Sequence, residues 1–396
     1  MKWGLHAVVV LGGWFFSGCL GAAEADGWKP LFNPNDLEGW VNVNGAPETW
    51  SIKDGVISCT GRPIAALRTT KQYENFELEL EWRHLKPSGN AGIFVWASAL
   101  PAVGQPFLRA IEVQVLDNAY GGKEQNVWFT THGDIFPIHG ATMTPMRPQT
   151  HQGDKSRCFP IEFRSTPSPE WNHYRIVAHH GSIRLSVNGK EVSDGDKCHW
   201  RQGYLGLESE GSPTEWRHLR IKELPSTGAT PEESAPVEEG WRPLYNGVDL
   251  RGWKEVGGGP VADPPRKGPA WTAADWVLQG SKEQFVPTLW TEESFGDFEL
   301  MIDSKLPEEA GKSAFAPHLR LRSPDAPPVV IVGPIGSWQR RVVKVQDQSV
   351  QLYDSAGKLL KEETLTDSTP ASGPIGLTTK GPYETQFANI FIRKAK

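Results

Sequence analysis

Apolar and polar residues alternate with a period of two along much of the chain. Phe76, Leu78, Leu80 and Trp82 alternate with Glu77, Glu79 and Glu81. Ile183, Leu185 and Val187 alternate with Arg184 and Ser186, and Leu219 and Ile221 with Arg220 and Lys222. Such alternation predicts strands with one buried and one wetted face. Asn188 and Gly189 follow directly on one such segment and signal a hairpin turn. No amphipathic stretch is longer than two helical turns. Many short alternating segments of this kind predict an all-β fold of antiparallel sandwich type.

The pattern occurs twice. Residues 28–40 align without gaps on 241–253, with eight of 13 positions identical. Trp50, Asp54, Val56 and Ile57 are answered by Trp271, Asp275, Val277 and Leu278. In the same order, 76–78 match 298–300, 203–207 match 373–377, and 218–222 match 389–393. Between the copies, 226–239 is poor in hydrophobic residues and rich in Pro, Ser, Thr and Glu, as a flexible linker would be. The expected organisation is therefore two tandem sandwiches, 27–225 and 240–396, joined by 226–239, the second a degenerate copy with a binding or structural role.

Composition narrows the partners. The net charge of -6, from 41 basic and 47 acidic residues, does not suggest a nucleic acid or an anionic membrane. Gly 41 and Pro 32 fit a chain of strands and turns. Trp 17 suits either sandwich cores or stacking on sugars, and most are expected in the core. Residues 1–25 read as a signal peptide, with Lys2 and His6 before an apolar run from Ala7 to Phe16 that is too short to span a membrane. The expected location is periplasmic or secreted. Ala23-Glu24-Ala25 is an A-x-A cleavage pattern, while 16–19 resembles a lipobox that would make Cys19 a lipid anchor. Of Cys59, Cys158 and Cys198, the last two are the expected disulfide pair and Cys59 a buried thiol.

The 110–118 segment carries candidate chemistry. On a strand, Ile111, Val113 and Val115 face one way, and Ala110, Glu112 and Gln114 the other. Asp117 falls on the wrong parity and needs a bulge or a strand end. Glu208 and Glu210 share a face by the same rule. The second copy keeps the scaffold glycines but has Thr378 and Lys380 at these positions, so the acids belong to function rather than to fold. The loop-like region 130–160 holds His132, Asp134 and His139, which could serve as acid/base groups, sugar partners or metal ligands. Asn90, Gly92, Phe94 and Trp96 alternate onto one face, making Trp96 a candidate sugar platform.

Together these motifs resemble the 3-keto-disaccharide hydrolase (3-keto-glucoside lyase/hydratase) domain of bacterial exported proteins. The opening "LFNGxDLxGW" is matched by Leu31, Phe32, Asn33, Asp36, Leu37, Gly39 and Trp40. "FEL-x-x-E" is matched by Phe76, Glu77, Leu78 and Glu81, and "E-x-Q-x-L-D-N" by Glu112, Gln114, Leu116, Asp117 and Asn118. Asn90, Gly92, Ile93 and Phe94 follow "N-S-G-I-F", and Trp171, Asn172 and Tyr174 follow "W-N-x-Y". Three positions depart: Trp96 stands where an Arg is common, and Glu208 and Glu210 replace the Gln and His of "L-Q-x-H-G". The resemblance implies a concanavalin A-like jelly roll and a 3-keto-glycoside substrate. It also implies C2 proton abstraction, β-elimination of the aglycone and hydration, a net hydrolysis. Glu112 would be the base, Gln114 a donor to the sugar, and Glu208 or His132 the acid. Asn90, Trp96, Asp117, Asp134, His139 and Glu210 would bind substrate, with a divalent metal optional. Two other readings stay open. One is a laminarinase-like glycosidase, whose two-carboxylate motif resembles Glu112-x-Gln114-x-x-Asp117. The other is a non-catalytic carbohydrate-binding protein.

Overall fold

A computed structural model describes residues 26–120, 132–147, 156–256, 268–282, 286–308, 317–331, 335–379 and 383–395. Residues 1–25 with Cys19, the stretches 121–131 and 148–155, and Lys380 lie outside the described residues. Four antiparallel sheets pack in pairs. Among the described residues the one helical element is a 3-10 turn at Pro231–Glu233. None of their helices is long and apolar enough to cross a membrane.

The first pair consists of a nine-stranded and a six-stranded sheet. The nine-stranded sheet is centred on Phe76–His84, flanked by Asn172–His179 and Thr214–Glu223. The six-stranded sheet runs Trp40–Asn42, Ala65–Tyr73, Gly203–Ser209, Asn90–Ala97, Ala110–Leu116, Ile135–Ile138. Their shared core takes the inward set of each alternating strand, including Phe76, Leu78, Leu80, Trp82, Ile111, Val113 and Val115. The outward acids Glu77, Glu79 and Glu81 pair with Arg175, Arg220 and Arg217 of the flanking strands, each at 2.6 Å. Such half-buried pairs on a wetted sheet face set register more than stability. Asn188 and Gly189 both take positive φ (47° and 85°), as the two-residue hairpin after Val187 requires.

The second pair, of eight and five strands over 242–394, repeats the first down to single hydrogen bonds. The Trp40 indole donates to the Leu31 carbonyl at 3.1 Å, and the Trp253 indole to that of Leu244 at 2.8 Å. His218 and Asn389 are the left-handed residues at a register shift in corresponding strands.

Two expectations need correction. The segment 226–239 is laid along the first sandwich rather than free. The N–H groups of Thr227 and Ala229 donate to the Glu74 carboxylate, Arg201 pairs with Glu233 at 2.8 Å, and Gln72 donates to the Ala235 carbonyl. Cys158 and Cys198 are buried free thiols. The Cys158 sulfur sits 3.5 Å from Asp194, on the same strand as Cys198 but four residues earlier, and roughly 13 Å of strand separates those two positions.

The sandwiches are bolted together. Asp303, fully buried, accepts from the Gly104 N–H at 2.8 Å, from Arg340 at 2.7 Å and from Asn389 at 2.8 Å. Arg340 and Asn389 in turn donate to the carbonyls of Pro101, Ala102 and Gln105. Met301 and Phe391 pack beside this hub on Phe94, Ala97, Ala110 and Tyr204 of the six-stranded sheet's outer face.

Candidate active site

The outer face of the six-stranded sheet has an apolar end, covered by the second sandwich, and an acidic end. Strand pairing builds the acidic end as two rows across the sheet. One row runs Ala66, Glu208, Gly92, Gln114, and the Gln114 N–H donates on to the Asp134 carbonyl. The next runs Gly206, Phe94, Glu112, Phe136. Gly92 is the open centre. A Cβ there would lie 2.8 Å from Glu112 Oε1 and 2.9 Å from Glu208 Oε2, so both carboxylates converge over its backbone. Their oxygens can be no farther apart than those two distances end to end.

Polar side chains tie the acids together. Gln114 Nε2 donates to Asn90 Oδ1 at 2.8 Å and to the Ala91 carbonyl at 3.1 Å. Asn90 bonds Glu210, and Glu210 bonds Glu208. The Tyr174 hydroxyl reaches through the core to the Gln114 carbonyl at 2.9 Å. Both amide N–H groups of Gln114 are thus used inside the protein. That leaves Gln114 no free N–H to donate to a sugar. Glu208 Oε2 is buried without a hydrogen-bond partner, an acceptor aimed at the space above Gly92.

Arg157 stands at the edge of the cluster, a residue that no periodicity singled out. Its guanidinium pairs with Asp134 at 2.9 Å and lies over the Phe136 ring at 3.5 Å. Asp134 is therefore an ion-pair partner beside the cluster. The short bridge between Ile135 and Cys158 brings Arg157 there.

The other expected site residues lie elsewhere. Trp96 is in the core, its indole donating to the Glu74 carbonyl at 2.8 Å and its ring edge-on to Phe76. The reason is a bulge: Trp96 takes φ 52° where the pairing with Gly203–Ser209 shifts register, and the extra residue flips it from the outer face to the inner one. Asp117 accepts the backbone N–H groups of Ser88, Ala119 and Ser168 at the strand end. Burial would raise its pKa, but these three bonds hold it below the usual range, as suits a structural acid. His132 Nε2 accepts the N–H groups of Arg164 and Ser165, and Nδ1 meets Ser165 and Asn118. Burial lowers its pKa to about 4, so it is a neutral ring pinning the 162–166 loop. His139 stacks on Phe107 at 5.9 Å, past the apolar end of its strand.

A model of the 3-keto-alpha-glucoside-1,2-lyase-like domain matches residues 27–222 and 240–331. The chain belongs to this family. It is a carbohydrate-active protein. No curated protein matches it. It is similar to two solved putative glycosyl hydrolases from Parabacteroides distasonis ATCC 8503. One is 22% identical, covering 51% of this chain and 96% of that one, with TM-score 0.39. The other is 24% identical, covering 50% and 99%, with TM-score 0.37. A carbohydrate-binding module, CBM66 from Bacillus subtilis, is 11% identical over 47% of this chain and 96% of its own, with TM-score 0.32.

In this member of the lyase-like family burial and mutual repulsion make the acids hold their protons. Burial, then the charge of Glu210, pushes Glu112 well above the carboxylate range, with Arg157 opposing. Burial, then repulsion from Glu210 and Glu112, does the same to Glu208. Burial raises Glu210 to about 7. Near neutral pH Glu210 is therefore partly ionised beside protonated Glu112 and Glu208, so the cluster holds both base and acid forms side by side, as proton abstraction with leaving-group protonation needs. Among the described residues no three His, Cys, Asp or Glu side chains stand so as to hold a metal ion.

Proposed function

We propose that the first sandwich cleaves 3-keto-glycosides in an exported protein, by elimination and hydration. The observation that carries this reading is the convergence of Glu112 and Glu208 over Gly92, with Glu210 hydrogen-bonded to Glu208 beside them. A keto group at C3 makes the C2 proton acidic. Glu112 holds its own proton near neutral pH, so it is the ionised minority of Glu112 that takes the C2 proton, and the electron pair moves into an enolate whose oxygen the Arg157 guanidinium attracts. The enolate re-forms the carbonyl as a C1=C2 double bond develops and the C1–O bond breaks. Protonated Glu208 gives its proton to the departing oxygen. Water then adds at C1, a proton returns to C2, and the free 3-keto sugar results, so the overall reaction is hydrolysis.

Phe94 and Phe136 flank Glu112 and limit water around it, which keeps the carboxylate weakly solvated and basic once ionised. The test is incubation of the purified protein with 3-keto-glucosides and with ordinary glucosides, with and without chelator. Release of aglycone from the 3-keto substrate alone is expected. Equal turnover of unoxidised glucans would replace this reading with a two-carboxylate glycosidase.

A further inference from the structure

The bolted interface encloses a second feature that the carboxylate site does not use. A cavity of about 420 Å³ lies between the sandwiches. Its walls come from three parts of the chain: Trp200 of the first sandwich, Glu238 and Trp241 at the end of the connecting segment, and Arg340, Tyr353 and Asp354 of the second sandwich. Neither copy alone forms it. The volume falls in the range of small-ligand sites.

The lining has a definite chemistry. Trp200, Trp241 and Tyr353 are half-buried rather than core residues. A guanidinium covers one face of each indole, Arg109 at 3.7 Å from the Trp200 ring centre and Arg393 at 4.3 Å from that of Trp241. These contacts fix the ring planes, so the aromatic surfaces are held in place before any ligand arrives. Glu238 accepts the Trp241 indole N–H at 3.0 Å and lies 3.5 Å from Arg393. Arg340 is already paired with Asp303, and Arg393 with Glu299. Asp354 Oδ1 takes the N–H groups of Ala356 and Lys358, which orients its carboxylate. Aromatic faces beside oriented carboxylates, with both lining guanidiniums already engaged, match an uncharged ligand with apolar C–H faces and many hydroxyls.

We propose that this cavity is a non-catalytic binding site for a neutral saccharide of one or two hexose rings. It goes beyond the proposed activity and does not depend on it. The second sandwich then has a role despite lacking the acids of the first: it supplies half of a glycan site.

The test is calorimetric titration of the full-length protein with maltose, which the carboxylate site is not expected to cleave. Saturable binding is expected, weakened about tenfold in Trp241→Ala and in Asp354→Ala and unchanged in Glu112→Gln. Asp354 lies on a surface turn, so its variant carries the test if Trp241→Ala melts early. Binding lost in Glu112→Gln but kept in Asp354→Ala would assign the sugar to the carboxylate site and overturn the proposal. Absence of saturable binding in the wild type would overturn it as well.

Discussion

Substituting Gly92 probes the geometry at its narrowest point. In Gly92→Ala the new methyl would sit 2.8 Å from Glu112 Oε1, 2.9 Å from Glu208 Oε2 and 3.0 Å from Glu112 Cγ. Each contact is short by about 0.5 Å or more of a comfortable van der Waals approach. The strand backbone accepts alanine, since Gly92 is not among the glycines with positive φ. The strain therefore falls on the two carboxylates. Overpacking of this kind costs about 1–3 kcal/mol, offset by about 0.5–1 kcal/mol from replacing a strand glycine. The melting temperature should fall by only a few degrees, roughly 2–4 °C per kcal/mol for a domain of this size. Activity should fall much further. A displacement of about 1 Å in a reacting group can cost about 100-fold in rate. The assay is kcat on a 3-keto-glucoside alongside a thermal melt. A folded Gly92→Ala with wild-type kcat would refute the convergence of the two acids as the catalytic feature.

Other consequences follow from the same structure. Glu112, Glu208 and Glu210 keep protons in the folded state that the unfolded chain releases near pH 4.5, so stability is full below that pH and is lost as pH rises. Glu210, raised to about 7, accounts for up to about 3 kcal/mol of this. The melting temperature should fall between pH 5 and pH 8, less steeply in Glu210→Gln, and parallel curves would contradict the assignment. Trp96→Ala should destabilise by about 3–5 kcal/mol as a core truncation. Trp96→Phe should keep KM, and a raised KM in that folded variant would restore a sugar-platform role. Asp303→Asn removes the carboxylate that neutralises Arg340 at the hub, costing about 3 kcal/mol. The two sandwiches should then melt in separate transitions, whereas one unchanged transition would place the coupling elsewhere.

Strand parity was the most legible feature of the chain, and it located the face that carries Glu112 and Gln114. It works where the alternation is unbroken, because successive side chains must then point to opposite sides. It failed at Trp96, where one bulged residue reverses the parity and nothing in the local composition marks the bulge. The acidic pair at Glu208 and Glu210 was legible through the repeat, since the matching strand of the second copy carries Thr378 instead. Residue type alone misled at His132 and Asp117. Both belong to chemistry-bearing classes, but their hydrogen bonds are spent on backbone N–H groups that only the folded chain brings near. Arg157 lies in a segment without periodicity and reaches the acids through one isolated bridge. The contact between sandwiches depends on Asp303, Arg340 and Asn389, which sit in strands whose alternation says only that they face outward.

The central claim is that Glu112 removes the C2 proton of a 3-keto-glycoside. The most direct measurement follows deuterium exchange at C2 by proton NMR, with a 3-keto-glucoside in D2O and either the wild-type protein or Glu112→Gln. The account predicts loss of the C2 proton signal along with product release in the wild type, and neither in a folded Glu112→Gln. Exchange at the wild-type rate in Glu112→Gln, or cleavage with the C2 proton fully retained, would contradict it.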